Sequence, residues 1–313
     1  MKPRSILRVL AAAVLLGGFV VLALEAADES LREEYAQTPN DPEIHTRMIA
    51  RWMSMATGKQ QAHVLEETAA ALATNPPEDH RLDILFVRAR AAILLPGQAP
   101  EKASSSVEDF IKAAPKDDRS AELLFRLARA QTTPAAQIPI YERAVSDYAT
   151  SYWGIMSKGS LTQLAGMGKP FELDFKDATT GNPVSIQRDM HGKVVLVYFW
   201  ATWCSDCAAE LPMMKQLYST YREKGMEFVG VSLDEPEARG GLTNLKNYVA
   251  KNSVPWPQYF QGGDKQLSPF SSSWGVSATP TVFILDKQGR LLAINPGEKL
   301  EQVITEALSK PAA

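Results

Sequence analysis

The sequence predicts two folded parts: an α/β domain with a central mixed sheet flanked by helices over residues 165–313, preceded by an all-α helical-hairpin domain over residues 28–164. Three observations carry this reading. From residue 165 onward, short β-branched and aromatic runs alternate with helical patterns, the order of a sheet covered by helices. Before it, the chain is rich in Ala, Leu, Arg and Glu and is broken repeatedly by proline, as short helices joined by turns are. The only two cysteines, Cys204 and Cys207, stand where one predicted strand passes into one predicted helix. With 313 residues, of which 45% are hydrophobic and 22% charged, the chain is long enough for two ordinary globular cores.

The elements follow in order. Lys2, Arg4 and Arg8 flank an apolar stretch from Val9 to Leu24, a charged region followed by a hydrophobic one. Residues 1–27 are therefore expected to be a signal peptide or a signal anchor. Ala26 or Ala27 would end a cleaved leader, although Leu24 or Glu25 would then occupy the outer recognition position. The apolar run is slightly short for the roughly 30 Å hydrocarbon core, which favours cleavage. Either outcome predicts an extracytoplasmic protein, periplasmic or secreted, with residues 9–24 as the anchor if the leader is retained.

Residues 29 to about 165 read as helical, with breaks at Pro39, Pro42, Pro76-Pro77, Pro96-Gly97, Pro115 and Pro134. An internal echo runs through them. Leu85-Phe86-Val87-Arg88-Ala89-Arg90-Ala91 recurs 39 residues on as Leu124-Phe125-Arg126-Leu127-Ala128-Arg129-Ala130, and Pro76 and Asp79 fall on Pro115 and Asp118 under the same shift. That period suits helix-pair repeats of the tetratricopeptide kind, although the usual repeat consensus is not met. Tyr141, Tyr148, Tyr152 and Trp153 are expected to form the core of the last hairpin. His45, His63, His80 and His191 sit in no motif and are assigned to the surface or to ordinary packing.

In the second part, strands are expected near 171–175 and 183–187, then at 194–200, followed by a helix over 207–222 and a strand over 227–233. Next come a helix over about 242–251, a short stretch at 256–259, strands at 281–285 and 291–295, and a helix over 300–309. Asp286-Lys287-Gln288-Gly289 signals a hairpin turn between the last two strands.

The chemistry lies in Trp203-Cys204-Ser205-Asp206-Cys207, which follows the apolar strand Val194–Trp200. Cys204 is placed at a helix N-terminus, where free backbone N–H groups and the helix dipole favour a thiolate. Cys204 is thus the expected nucleophile and Cys207 the resolving thiol of a redox disulfide. A zinc site would need two further ligands, and no His follows His191. A purely structural disulfide closing so short a loop would remove little chain entropy. Asp206 places a negative charge beside the thiolate and opposes the strongly depressed pKa of potent oxidants, which favours a reductant.

The surroundings carry a family resemblance. Phe199-Trp200-Ala201-Thr202-Trp203-Cys204-Ser205-Asp206-Cys207 with Glu210-Leu211-Pro212 resembles the active-site stretch of the thioredoxin superfamily. Gly275–Asp286 is similar to its cis-proline segment, with Thr279-Pro280 as the cis bond. Gly168–Leu173, Gly192–Val197 and Val229–Asp234 resemble the TlpA/ResA-like branch of membrane-tethered or secreted thioredoxins. This resemblance, over roughly 165–311, implies a thioredoxin-like fold and a thiol:disulfide oxidoreductase. It implies that Trp203, Thr279 and Pro280 meet the substrate and that Glu210, a partly buried carboxylate near Cys207, takes a proton during resolution. Where cytosolic thioredoxins carry a buried Asp, this chain has Tyr198.

The implied partners are client proteins with disulfides and an upstream membrane or periplasmic thiol reductant. No cofactor and no metal are implied, and a net charge of −3 argues against nucleic acid. Two alternatives stay open. One is a peroxiredoxin-like thiol peroxidase, although Val197 and Ala201 stand where its Pro and Thr would precede Cys204. The other is a non-enzymatic helical-repeat scaffold with an incidental dithiol.

Overall fold

The computed structural model describes residues 27–97, 100–263 and 268–311. The proposed leader lies outside the described residues, apart from Ala27. No helix among the described residues is long and apolar enough to cross a membrane. The chain divides into two compact units, one ending at Thr132 and the other running from Thr133.

The first unit is all helical: α1 (27–37), α2 (Pro42–Thr57), α3 (Gln61–Ala73), α4 (Glu78–Leu94), α5 (Pro100–Ala113) and α6 (Asp118–Ala130). The prolines act as starts as well as stops. Pro42 occupies the first turn of α2 behind the Asp41 cap, whose carboxylate accepts from the N–H groups of Glu43 and Ile44. Asp117 caps α6 in the same way through Arg119 N–H. α4 is the hub and packs on α2, α3, α5 and α6, which explains why its apolar residues are not confined to one stripe. The two copies of the 39-residue echo fall on α4 and α6. Trp52 of α2 is fully buried in a core with Met48, Val64, Ile84 and Val87.

The second unit opens with the hairpin α7 (Pro134–Asp147) and α8 (Tyr152–Gly166), in which Tyr141 and Tyr148 are buried. It continues through β1 (Asp174–Lys176), β2 (Pro183–Ser185), α9 (Ile186–Asp189), β3 (Val194–Trp200), α10 (Ser205–Tyr221), β4 (Met226–Ser232) and α11 (Gly241–Asn252). β5 (Gln258–Phe260), α12 (Pro269–Ser273), β6 (Thr281–Leu285), β7 (Leu291–Ile294) and α13 (Leu300–Ser309) complete it. The strand order is β5-β4-β3-β6-β7, with β3 parallel to β4 and antiparallel to β6. β3 lies at the centre and all seven of its residues are buried, as its unbroken apolar run requires. β1 and β2 form a separate two-stranded ribbon. The turn between β6 and β7 is closed by Asp286, whose carboxylate accepts from the N–H groups of Gln288 and Arg290, with Gly289 at a positive φ.

The hairpin α7–α8 belongs to the compact unit of the sheet. The boundary expected at 164/165 and the division at 132/133 therefore differ by this one hairpin. α8 packs on α12. Gly159 lies so close to Gly275 that a side chain at 159 would overlap its backbone, and Gln163 donates to the Trp274 carbonyl. The chain then enters the sheet edge, with the Gly168 N–H bonded to the Leu291 carbonyl at 2.8 Å.

Candidate active site

β3 ends at Trp200 and α10 begins at Ser205, so Cys204 is the N-cap of α10. Its Sγ accepts the Cys207 N–H at 3.1 Å, the position a capping oxygen usually takes. Cys204 and Cys207 are joined in a disulfide. Both sulfurs are shielded, but Trp203 beside them is 50% exposed, so the strand end presents an aromatic rim around Cys204. Pro212 lies inside α10 and removes one N–H from the ladder that follows the dithiol.

The loop before Cys204 is tied from behind. Asp234, buried just past β4, accepts from Thr202 N–H at 3.0 Å, from Thr202 Oγ1 at 2.6 Å and from Ser232 Oγ at 2.8 Å. The Leu233 N–H reaches the Trp200 carbonyl at 2.7 Å. A second support runs from Trp200 Nε1 to Gln258 Oε1 at 3.0 Å and from Gln258 N–H to the buried Asp177 carboxylate at 3.0 Å. Gly230 makes room for this amide, since a Cβ there would overlap the Gln258 side chain. Sequence reasoning assigned no role to Asp234, Gln258 or Asp177. The one signal was a polar residue at the end of an otherwise apolar strand.

The Thr279-Pro280 bond is cis. Pro280 and Glu210 line one cavity of about 300 Å³ together with Met213, Met214 and Leu300. Glu210 stands one helical turn beyond Cys207 and is half-buried. Burial pushes its carboxyl up, the Asp206 charge adds to this, and Tyr198 works against it. The Tyr198 hydroxyl is buried with no hydrogen bond of normal geometry and faces that carboxylate. Burial first, and then the Glu210 charge, raise its phenol well above the usual range. Trp203 opens instead on a cavity of about 450 Å³ with Thr202, Asp234, Glu235, Gly241 and Asn244. The fold thus places Glu210 and Pro280 on one flank of the dithiol segment and Trp203 on another, with Thr279 half-buried beside Pro280. Among the described residues, no cluster of three or more His, Cys, Asp or Glu side chains is arranged to hold a metal.

A central mixed sheet, a dithiol capping the helix after its middle strand, and a cis-proline opening the adjacent strand define a thioredoxin-like domain. Residues 167–294 match the family model described as the AhpC/TSA family. The thiol-disulfide oxidoreductase ResA of Halalkalibacterium halodurans is 32% identical over 128 residues, 40% of this chain and 68% of that protein. The chain belongs to this family of ResA-like thiol-disulfide oxidoreductases. ResA of Bacillus cereus strain ZK is 33% identical over 123 residues, and that of Bacillus thuringiensis is 32% identical over 123. Each of these two matches covers 39% of this chain and 66% of the relative, just under two thirds of its length. A thiol:disulfide interchange protein of Chlorobium tepidum is 26% identical over 46% of this chain and 97% of its own, with a TM-score of 0.38, too low to bear on the fold.

Proposed function

We propose that this chain is an extracytoplasmic thiol:disulfide oxidoreductase that reduces the disulfides of client proteins. The observation that carries the reading is the Cys204–Cys207 disulfide with Cys204 as the N-cap of α10. In the reduced protein, the Cys204 thiolate attacks one sulfur of a client disulfide. A Cys204–client S–S bond forms as the client bond breaks, and the departing client sulfur takes up a proton. Cys207 then attacks Cys204 Sγ, regenerates the intramolecular disulfide and releases the second client thiol. The client gains two electrons and the dithiol loses two, which an upstream membrane or periplasmic thiol reductant returns.

Glu210 is the proton acceptor for Cys207 in this scheme. Its upward shift by burial makes it a better proton acceptor than an exposed carboxylate. Thr279, Pro280 and Trp203 are the residues that meet the client backbone. Asp206, exposed in the first turn of α10, supplies the negative charge that keeps the couple on the reducing side. The leader, cut or retained as an anchor through residues 9–24, carries residues 28–313 out of the cytoplasm, and residues 28–164 recruit clients or space the redox centre from the membrane.

The test is the equilibrium reduction potential of the dithiol in defined thiol–disulfide buffers. A value toward that of thioredoxin, about −270 mV, supports the reductant, and one near −120 mV would mark an oxidant. Failure to cycle would sink the enzyme reading. Ala201 offers no hydroxyl where a thiol peroxidase holds its peroxide, so peroxide consumption is expected to be negligible.

A further inference from the structure

We propose that the client segment lies in a groove running from the dithiol along α10 to the start of α13, and that this groove selects clients with basic residues six to seven positions from the reacting cysteine. The inference rests on the oxidoreductase reading and names the substrate class of that site.

The groove is built from two adjoining cavities. One, of about 300 Å³, opens at Pro280 and Glu210. The other, of about 320 Å³, ends at Glu298 and Glu301. Both are lined by Met213, Gly297 and Leu300, so they form one continuous depression between α10 and the start of α13. Its floor is apolar: Met213 is 46% exposed here, an unusual position for a large side chain, and Leu217 and Leu300 flank it. Methionine is the side chain best able to accommodate varied partners.

Its charge has one sign. Carboxylates stand at both ends, Glu210 near the dithiol and Glu298 and Glu301 at the far one, and among the described residues no Lys or Arg lines either cavity. The cations nearby are used elsewhere or stand outside: Lys224 sits over the Tyr221 ring at 4.8 Å, and Lys299 is exposed beyond the lining. Tyr221 OH donates to one Glu301 oxygen at 2.7 Å, which fixes that carboxylate at the rim. From Cys204 to Gln216 and Thr220 at the far cavity, α10 spans roughly 18–24 Å. An extended client rises about 3.3 Å per residue, so a cysteine held at Cys204 puts the sixth or seventh residue beside Glu298 and Glu301. Residues between would lay apolar side chains on Met213, in the manner of a strand added beside an exposed edge.

The experiment compares mixed-disulfide peptides carrying Lys-Lys, Ala-Ala or Glu-Glu six and seven residues from the cysteine, on its N-terminal or C-terminal side. Reduction by the reduced full chain is followed as kcat/KM. The Lys-Lys peptide of one polarity should react about five- to tenfold faster than Ala-Ala at low ionic strength, and the ratio should fall toward one in about 0.5 M salt. In Glu298→Gln/Glu301→Gln, which keeps an acceptor for Tyr221, the ratio should collapse to near one, with the thermal midpoint as the control for folding. A ratio near one in the unaltered protein, with all peptides reduced, would overturn the groove and leave the oxidoreductase standing. A ratio that survives the double substitution would also overturn it. No reduction of any peptide would instead overturn the oxidoreductase reading.

Discussion

In the helical unit, Arg51 of α2 is almost fully covered and bonds Asp28 of α1 and Glu67 of α3, while Trp52 Nε1 donates to the same Glu67 at 2.6 Å. In the redox unit, the buried Asp234 collects three bonds from Thr202 and Ser232. Both are charged groups held out of water by several partners, and both fix neighbouring segments in place. They differ in what lies beside them. The Arg51 cluster joins three helices and touches no reactive atom, whereas Asp234 holds a loop that ends two residues later in Cys204. A buried polar network therefore becomes a functional statement only through its neighbour, and among the described residues the Arg51 cluster has no reactive neighbour to point to.

The largest effect expected is on that difference itself. Cys204→Ser should lower client reduction on the order of 10³-fold or more, because the attacking sulfur is gone. The thermal transition of the helical unit should not move. Retained function in the cell with this variant would favour the scaffold reading.

Next in size is Arg51→Leu. It removes the shared partner of Asp28 and Glu67, leaving Glu67 only Trp52 Nε1 and Arg32, and should lower the stability of the helical unit by about 2–4 kcal/mol, below the figure for full burial because Asp28 stays partly solvated. The reduction potential of the dithiol should be unchanged. A shift in that potential would show that the two units are coupled and erase the contrast.

A third prediction concerns pH. His45 and His80 are both buried and stack with centroids 3.7 Å apart and planes 1° from parallel. Neither nitrogen of His45 makes a hydrogen bond of normal geometry, although Asp83 Oδ2 lies 3.4 Å from Nε2. Tyr35 of α1 packs at 6.3 Å, and Asp83 is itself paired with Arg119 of α6 at 2.6 Å. Burial, reinforced by His80, lowers the His45 pKa against the opposing pull of Asp83 and Asp79. With the folded pKa depressed, the unfolded chain binds more protons below its ordinary value of about 6.5. Stability is thus intact above that pH and falls as pH drops toward the folded value, by at most about 1.4 kcal/mol per pH unit. Thermal melts of the helical unit from pH 7.5 to 5 should show this loss, and His45→Gln should flatten it.

These cases also mark what the sequence could tell. β3, β6 and α13 lie where the sequence puts them, because an unbroken apolar run, a proline before a strand and a regular helical stripe are each local signals. α10 begins two residues before the expected 207, since the cap is Cys204 itself. The five-residue helix α12 was not foreseen, being too short to show a period. Nor was the seat of α7–α8 on the sheet unit, which depends on Gly159 meeting Gly275, two small residues far apart in the chain. The four histidines sat in no motif. His63 and His191 are exposed, and the stacking of His45 on His80 is a tertiary meeting of α2 with α4. The dithiol was legible because its chemistry needs adjacent residues. Asp234, just past β4, and Gln258 of β5 act on the same segment from elsewhere in the chain.

The smallest effect expected lies inside the redox unit, at the position where Tyr198 replaces a buried carboxylate. Its hydroxyl faces Glu210 and is the one influence that lowers that carboxyl, against burial and Asp206. Tyr198→Phe removes the hydroxyl while keeping the ring that fills the centre of β3, so the core should be little disturbed. The Glu210 pKa should then rise further. If Glu210 accepts the Cys207 proton, the pH at which mixed-disulfide resolution becomes fast should move upward with it. The rate of the first attack by Cys204 should keep its own profile. An unshifted resolution profile in Tyr198→Phe, together with an unshifted one in Glu210→Gln, would remove Glu210 from the proton path and leave Cys207 to lose its proton directly to solvent.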